Sequence, residues 1–113
     1  MVRDNPRDPQ AYNVRGAAYG KAGRFSEALA DFNQALALNS QFYQAYSNRA
    51  LLYSSQGDLA RAQADYNTAL RINPQFSEAY VGRGDVYRLA GRPQQAKTDY
   101  DRAIQIGTTD PRA

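Results

Sequence analysis

The side chains that could carry acid–base chemistry in this sequence are carboxylates, lysines and tyrosines, because the chain contains neither histidine nor cysteine. Two carboxylate pairs stand close together in the sequence, Asp58 with Asp65 and Asp99 with Asp101. Positioned carboxylates can act as general acids and bases. Neither spacing indicates a shared site, however, and no glycine-rich phosphate loop or nucleophile–base pair accompanies them. We therefore predict that the chain is not an enzyme and that it holds no metal or cofactor.

Three arginines, Arg15, Arg49 and Arg83, are a second chemical candidate, because a row of guanidinium groups could bind anions. Each of them precedes a small residue on a predicted helix, where an arginine stem can pack along a neighbouring helix. We therefore predict a structural role for this arginine column. The net charge is +3, and the basic residues are interspersed with acidic ones and form no basic run. Nucleic acid is therefore not expected as a partner.

These residues recur because the chain is a threefold repeat, whose segments begin at Pro9, Tyr43 and Ser77 and align without gaps at a period of 34 residues. The shared columns hold aromatic or small residues. Such a period is typical of helical solenoids, in which neighbouring units must stack because one helical pair cannot bury both of its faces. The columns are Tyr12/Tyr46/Tyr80, Gly16/Ala50/Gly84, Tyr19/Tyr53/Tyr87, Gly23/Gly57/Gly91, Ala28/Ala62/Ala96, Phe32/Tyr66/Tyr100, Ala35/Ala69/Ala103 and Leu36/Leu70/Ile104.

Within each repeat, column spacings of three and four residues predict two helices. Gly23, Gly57 and Gly91 fall between the two helices, where a left-handed residue commonly ends a helix. Pro93 is placed to open the sixth helix. The predicted fold is all-α, with six helices near residues 9–22, 26–39, 43–56, 60–73, 77–90 and 94–106.

The period, the columns and the segments Tyr46-Ser47-Asn48-Arg49-Ala50 and Ile72-Asn73-Pro74 resemble tetratricopeptide repeats (TPRs) over residues 9–110. The sequence departs from the family pattern at Ser40 and Thr108, where proline is expected, and by having tyrosine in the first aromatic column. The resemblance implies a right-handed α-solenoid of three TPR helix-turn-helix units with six antiparallel helices. It also implies that the first helix of each repeat lines a concave groove that binds an extended peptide or a partner's helix.

The expected organisation consists of residues 1–8 as the tail of a preceding repeat or a linker, repeats at 9–42, 43–76 and 77–110, and residues 111–113 as the start of a fourth repeat. Asp110-Pro111 stands three periods after Asp8-Pro9, which favours a fragment of a longer TPR protein. Uncapped terminal repeats would expose apolar surface, so homo-oligomer formation is an alternative outcome.

The residues predicted to bind a partner are side chains of the first helices that lie off the packing columns. Asn13, Gln44 and Asn48 are expected to hydrogen-bond a peptide backbone without reading its sequence, and Leu51 and Val81 to form an apolar seat. The full predicted set is Gln10, Asn13, Ala17, Lys21, Gln44, Ser47, Asn48, Leu51, Ser55, Glu78, Val81, Asp85 and Arg88.

One TPR function can be examined directly in the sequence. TPR co-chaperones hold the C-terminal carboxylate of heat-shock chaperones in a Lys/Asn/Asn/Lys/Arg clamp. The corresponding positions here are Asn13, Ala17, Asn48, Glu78 and Gly82, of which Asn48 alone agrees. Because a carboxylate requires charge-assisted donors, the clamp function is not expected.

The predicted function is that of a protein–protein interaction scaffold. A self-association module is the alternative, and an RNA-binding helical repeat is a third, weaker interpretation. The sequence contains no apolar run long enough to span a membrane. The absence of cysteine suits cytoplasm and periplasm alike; we expect the cytoplasm, unless the parent protein carries a signal peptide.

Overall fold

The computed structural model describes residues 7–109, and the side chains of residues 7–107. The described residues form six helices and no strand, and each helix begins and ends within three residues of its predicted bounds. Residues 1–6 and 110–113 lie outside the described residues, so most of the flanking segment predicted at 1–8 and all of the one predicted at 111–113 are not described. The helices are α1 (Pro9–Lys21), α2 (Phe25–Leu38), α3 (Tyr43–Ser55), α4 (Leu59–Ile72), α5 (Ser77–Leu89) and α6 (Pro93–Thr109).

The turn between the two helices of a repeat has the same form three times. Gly23, Gly57 and Gly91 have φ angles of 77°, 80° and 77°, which lie in the left-handed region where glycine pays no side-chain penalty. In the first turn the Gly23 N–H donates to the Gly20 carbonyl, and the Arg24 N–H donates to the Tyr19 carbonyl at 2.9 Å. This is the Schellman arrangement that satisfies the last carbonyls of a helix. The prediction of left-handed glycines is confirmed.

Small residues allow the two helices of each repeat to approach closely. A Cβ added at Gly16 would lie 2.8 Å from the Phe32 ring, and one added at Gly84 would lie 2.7 Å from the Tyr100 ring. Phe32 is only 2% exposed as a result. The aromatic residue of the second helix therefore fills the space that the small residue of the first helix leaves open, as the columns predicted.

The contacts between repeats give the chain its curvature. Each of α2 and α4 packs on the first helix of the next repeat. The first helices also contact each other, α1 with α3 and α3 with α5, whereas no contact joins α2 to α4 or α4 to α6 in the described part of the chain. The first helices therefore line the inner, concave side. Tyr43 and Phe76 meet edge to face at 4.9 Å at one joint between repeats. The predicted right-handed α-solenoid is confirmed.

Candidate functional site

The arginine column forms ion pairs inside the protein and does not present an anion site. Arg49 donates from Nε and Nη2 to both carboxylate oxygens of Asp65, at 2.7 and 2.8 Å. The same bidentate geometry joins Arg15 to Asp31 and Arg83 to Asp99. The three carboxylate side chains are 6%, 9% and 6% exposed in chain order. The structural role predicted for the arginines is confirmed.

These arginines have ionic partners that were not predicted, since only packing of their stems along a neighbouring helix was expected. Each guanidinium pairs with a buried aspartate on the second helix of its own repeat, and it also lies over two tyrosine rings, as Arg49 does over Tyr46 and Tyr53 at 5.6 and 5.9 Å. The aspartate column Asp31/Asp65/Asp99 was not recognised in the sequence. Its signal was present, because an aspartate follows each arginine by 16 residues in all three repeats.

Two of the arginines also connect neighbouring repeats. Arg49 donates from Nη1 to Asn33 of the preceding repeat at 2.9 Å, and Arg83 does the same to Asn67 at 3.0 Å. Asp65 raises the pKa of Arg49 because its carboxylate accepts hydrogen bonds from the guanidinium, so this charge is permanent. Asp101 stands one period after Asn67 and pairs with Lys97 at 2.8 Å.

The carboxylates considered for acid–base chemistry are each engaged separately. Asp58 caps α4 by accepting from the Arg61 backbone N–H at 3.1 Å and from the Arg61 side chain at 2.8 Å, and the backbone hydrogen bond lowers the pKa of Asp58. Asp65 and Asp99 belong to the buried ion pairs, and Asp101 pairs with Lys97. No group of three His, Cys, Asp or Glu residues in the described part of the chain could hold a metal ion.

The predicted partner-binding residues lie on the three first helices but differ in exposure. Asn13 and Ser47 are buried, at 6% and 8% exposure, so they present little surface to a partner. Ala17, Asn48 and Asp85 are half-buried. The remaining members of the predicted set are exposed: Gln10, Lys21, Gln44, Leu51, Ser55, Glu78, Val81 and Arg88.

Two of the predicted amides bind each other across α1 and α3. Asn48 donates from Nδ2 to Asn13 Oδ1 at 3.0 Å. The Oδ1 of Asn48 has no partner among the described residues and can accept from a ligand N–H. Of the three amides expected to bond a peptide backbone, Asn13 is therefore buried and engaged, whereas Asn48 and the exposed Gln44 stay as predictions.

A cavity of about 420 Å³ opens between α1 and α3, and we call it the groove cavity. Five predicted residues line it, and three lining residues, Gly20, Phe32 and Leu52, were not predicted. Phe32 belongs to a second helix, where it was assigned to a packing column, and Leu52, which is buried, was assigned no role. Val81, expected to share an apolar seat with Leu51, does not line this cavity. Its lining residues are Ala17, Gly20, Lys21, Phe32, Asn48, Leu51, Leu52 and Ser55.

The third repeat gives the groove a different surface. The Tyr100 hydroxyl donates to Asp85 Oδ1, and this hydrogen bond raises the pKa of Tyr100. Arg88 approaches the same carboxylate oxygen at 4.0 Å. A side chain at Gly82 would overlap the Tyr66 ring, which packs directly against the glycine. This end of the groove is therefore polar and contains both acidic and basic side chains.

No helix in the described residues has the length and apolar character that crossing a membrane requires. Comparison with curated proteins finds no match to this sequence.

Solved structures with the same fold are numerous, and three illustrate the likeness. A crystal structure of MamA is 25% identical with a TM-score of 0.88; the match covers 99% of this chain and spans 66% of the length of that one. The first TPR of Spaghetti (RPAP3), bound to the HSP90 peptide SRMEEVD, is 24% identical with a TM-score of 0.85, covering 92% of this chain and 82% of that one. The Arabidopsis OM64 TPR domain is 23% identical with a TM-score of 0.84, covering 93% and 84%.

Models of known protein families match the same segments that form the helical pairs. Two models described as tetratricopeptide repeat match residues 9–42 and 47–111. The second alone spans more than half of the chain, and each repeat contains the helix pair and the left-handed turn described above. The chain therefore belongs to the tetratricopeptide repeat family, whose domains are protein–protein interaction modules.

Proposed function

We propose that this chain is a protein–protein interaction scaffold that binds an extended peptide or a partner's helix in the groove formed by α1, α3 and α5. The observation that carries the proposal is the contact pattern: first helices touch along the chain while second helices diverge. This pattern produces a concave surface with exposed side chains on rigid elements. Surfaces of this kind are used for binding in repeat proteins.

The surface chemistry of the groove supports a peptide ligand. Between α1 and α3 the groove has an apolar cavity with a free amide oxygen at Asn48. Apolar pockets select side chains, and amide groups can bond the backbone of an extended segment. Within the groove cavity, Lys21 is the one charged lining residue, which is too little positive charge for an RNA backbone.

The ligand we propose differs from the HSP90 peptide in the RPAP3 structure. A carboxylate clamp needs donors at the positions of Ala17, Glu78 and Gly82. Ala17 and Gly82 offer no side-chain donor, and Glu78 would repel a carboxylate. The Tyr66 ring also leaves no room for a longer side chain at position 82.

Matched substitutions would test whether the groove is the binding surface. Leu51 in the groove and Ile104 on α6 are 62% and 64% exposed, so neither substitution to aspartate empties a core. We expect Leu51→Asp to abolish capture of the partner in a cross-linking pull-down, and Ile104→Asp to leave it intact. Equal capture by wild type and Leu51→Asp would contradict groove binding. Far-ultraviolet circular dichroism of each variant would confirm that the helices remain.

Self-association is a second candidate, favoured by one observation. Arg49 and Arg83 each reach an asparagine of the preceding repeat, whereas Asp31 is the one hydrogen-bonding partner of Arg15 in the described residues. Asp101 occupies the position equivalent to those asparagines, so Arg15 of one copy complements Asp101 of another. Sedimentation velocity at rising concentration would then show head-to-tail association that Asp101→Arg removes. A wild-type protein that stays monomeric throughout would eliminate this candidate.

A further inference from the structure

The groove cavity occupies a limited part of the concave groove. All of its lining residues belong to α1, α2 and α3, so it involves only the first two repeats. Towards α5 the groove has a different surface, because the Tyr66 ring fills the space beside Gly82 and Asp85 lies near Arg88. A ligand that fills the cavity therefore needs no contact with the third repeat, and a small molecule is large enough to do so.

The interior of the groove cavity is apolar. Phe32 and Leu52 are buried, so they lie at its deep end, and Ala17 and the exposed Leu51 complete the apolar lining. Gly20 lies beside Leu52, since a Cβ added at this glycine would meet Leu52 Cδ1 at an ordinary contact distance of 3.6 Å. Apolar walls of this kind bind the hydrocarbon part of a ligand by removing it from water.

One charged side chain defines the sign of the ligand. Lys21 lines the cavity, is exposed and has no ion pair within the described residues. The polar residues beside it, Asn48 and Ser55, carry no charge, and none of the lining residues has a carboxylate. An anionic group at the edge of the cavity would therefore meet a counter-charge and no repulsion from the lining.

The volume of the groove cavity sets the size of the ligand. A volume of about 420 Å³ lies within the range of roughly 300–1,000 Å³ that is usual for ligand pockets. At about 30 Å³ for each water-sized group, this space holds on the order of 14 such groups. An unbranched carboxylate of about ten carbons is close to that size.

We infer that the groove cavity binds a small amphipathic anion, whose apolar chain lies against Phe32 and Leu52 and whose anionic head group pairs with Lys21. This ligand is additional to the partner protein proposed above, and the inference does not depend on that function. The same cavity selects against cationic amphiphiles, because their head group would face Lys21 without a counter-charge.

The test is a titration of the isotope-labelled protein with decanoate, kept below its micelle concentration and followed by two-dimensional amide NMR. We expect saturable shifts at the cavity residues with a Kd of roughly 0.1–1 mM, which is usual for a ligand of this size. Decanol, which has no charge, should bind about two- to fivefold more weakly, since an exposed ion pair contributes little. Decyltrimethylammonium should bind more weakly than decanol, and acetate, which has no chain, should produce no shift.

Matched variants separate the cavity from the rest of the protein. Gly20→Leu places a side chain beside Leu52 and should weaken decanoate binding at least about tenfold, because each methylene group that loses its place contributes about fourfold. It should not lower the melting temperature, since leucine is a better helix former than glycine. Ala18 is exposed on the same helix and does not line the cavity, so Ala18→Leu should leave binding unchanged. Lys21→Met should reduce the affinity for decanoate to that for decanol.

Three results would overturn the inference. The first is the absence of saturable shifts with decanoate, and the second is equal affinity of wild type and Gly20→Leu. The third is binding of decyltrimethylammonium as tight as that of decanoate, which would exclude Lys21 as the selecting charge. None of these measurements involves the partner pull-down, so the scaffold function is tested separately.

Discussion

Replacing Arg49 by methionine should destabilise the protein far more than its position at the surface of a repeat suggests. The substitution keeps a long, unbranched side chain but removes the guanidinium that donates to both oxygens of Asp65. It also removes the hydrogen bond to Asn33, which joins the second repeat to the first. The buried carboxylate then has no counter-charge.

The magnitude follows from the burial of the two partners. The Asp65 side chain is 9% exposed and that of Arg49 is 21% exposed, so the pair is largely removed from water. Removing one partner of a buried ion pair commonly costs about 3–5 kcal/mol, because the remaining charge is desolvated without compensation. The partial exposure of Arg49 lets some water reach the aspartate, so we expect about 3 kcal/mol, at the lower end of that range.

Urea unfolding followed by circular dichroism would measure this loss as a shift in the midpoint at constant slope. The double variant Arg49→Met/Asp65→Leu should recover most of the stability, because it buries no unpaired charge. Arg61→Met is the matched control, since Arg61 also pairs with an aspartate and also lies near the Tyr53 ring, but its side chain is 72% exposed. The reasoning is refuted if Arg49→Met shifts the midpoint no more than Arg61→Met does.

Two further outcomes follow from the same structure. Burial raises the pKa of Tyr66 to about 12 from an ordinary value of 10.0. Between these values only the unfolded state ionises, so wild type should lose roughly 2–3 kcal/mol more stability than Tyr66→Phe as the pH rises from 10 to 12, which urea melts at each pH would measure. Gly57→Ala should destabilise by about 1 kcal/mol because φ is 80°, and a thermal melt in which the variant matches wild type would count against a left-handed turn in solution.

The sequence was sufficient for the fold because the determinants of each helical pair are local and recur three times. The φ of Gly57 and the contact between Gly84 and Tyr100 both follow from columns that are visible without a structure. The partner of each arginine was not recognised, although Asp65 recurs at the same period. An aspartate on a helix is usually solvated, and only packing reveals that this one is buried.

The groove cavity was beyond sequence analysis for a different reason. Sequence patterns assign roles to side chains that are present, whereas Gly20, one of the residues that line the cavity, has none. Phe32 was recognised as a packing residue, which it is, and the same ring also contributes to the cavity lining. Only a structure shows that one residue packs in the core on one side and faces a cavity on the other.

The buried ion pairs and the groove cavity are connected through α3. Arg49 on one side of this helix holds Asn33 of α2 and Asp65 of α4, while Leu51 and Asn48 of the same helix form part of the cavity lining. These interactions fix α3 against α2 and α4, and no ligand needs to form them. A groove whose walls are held in place loses little conformational entropy when it binds. The charged network on the packing side thus holds the α3 wall of this mostly apolar cavity in place, as the proposed groove binding requires.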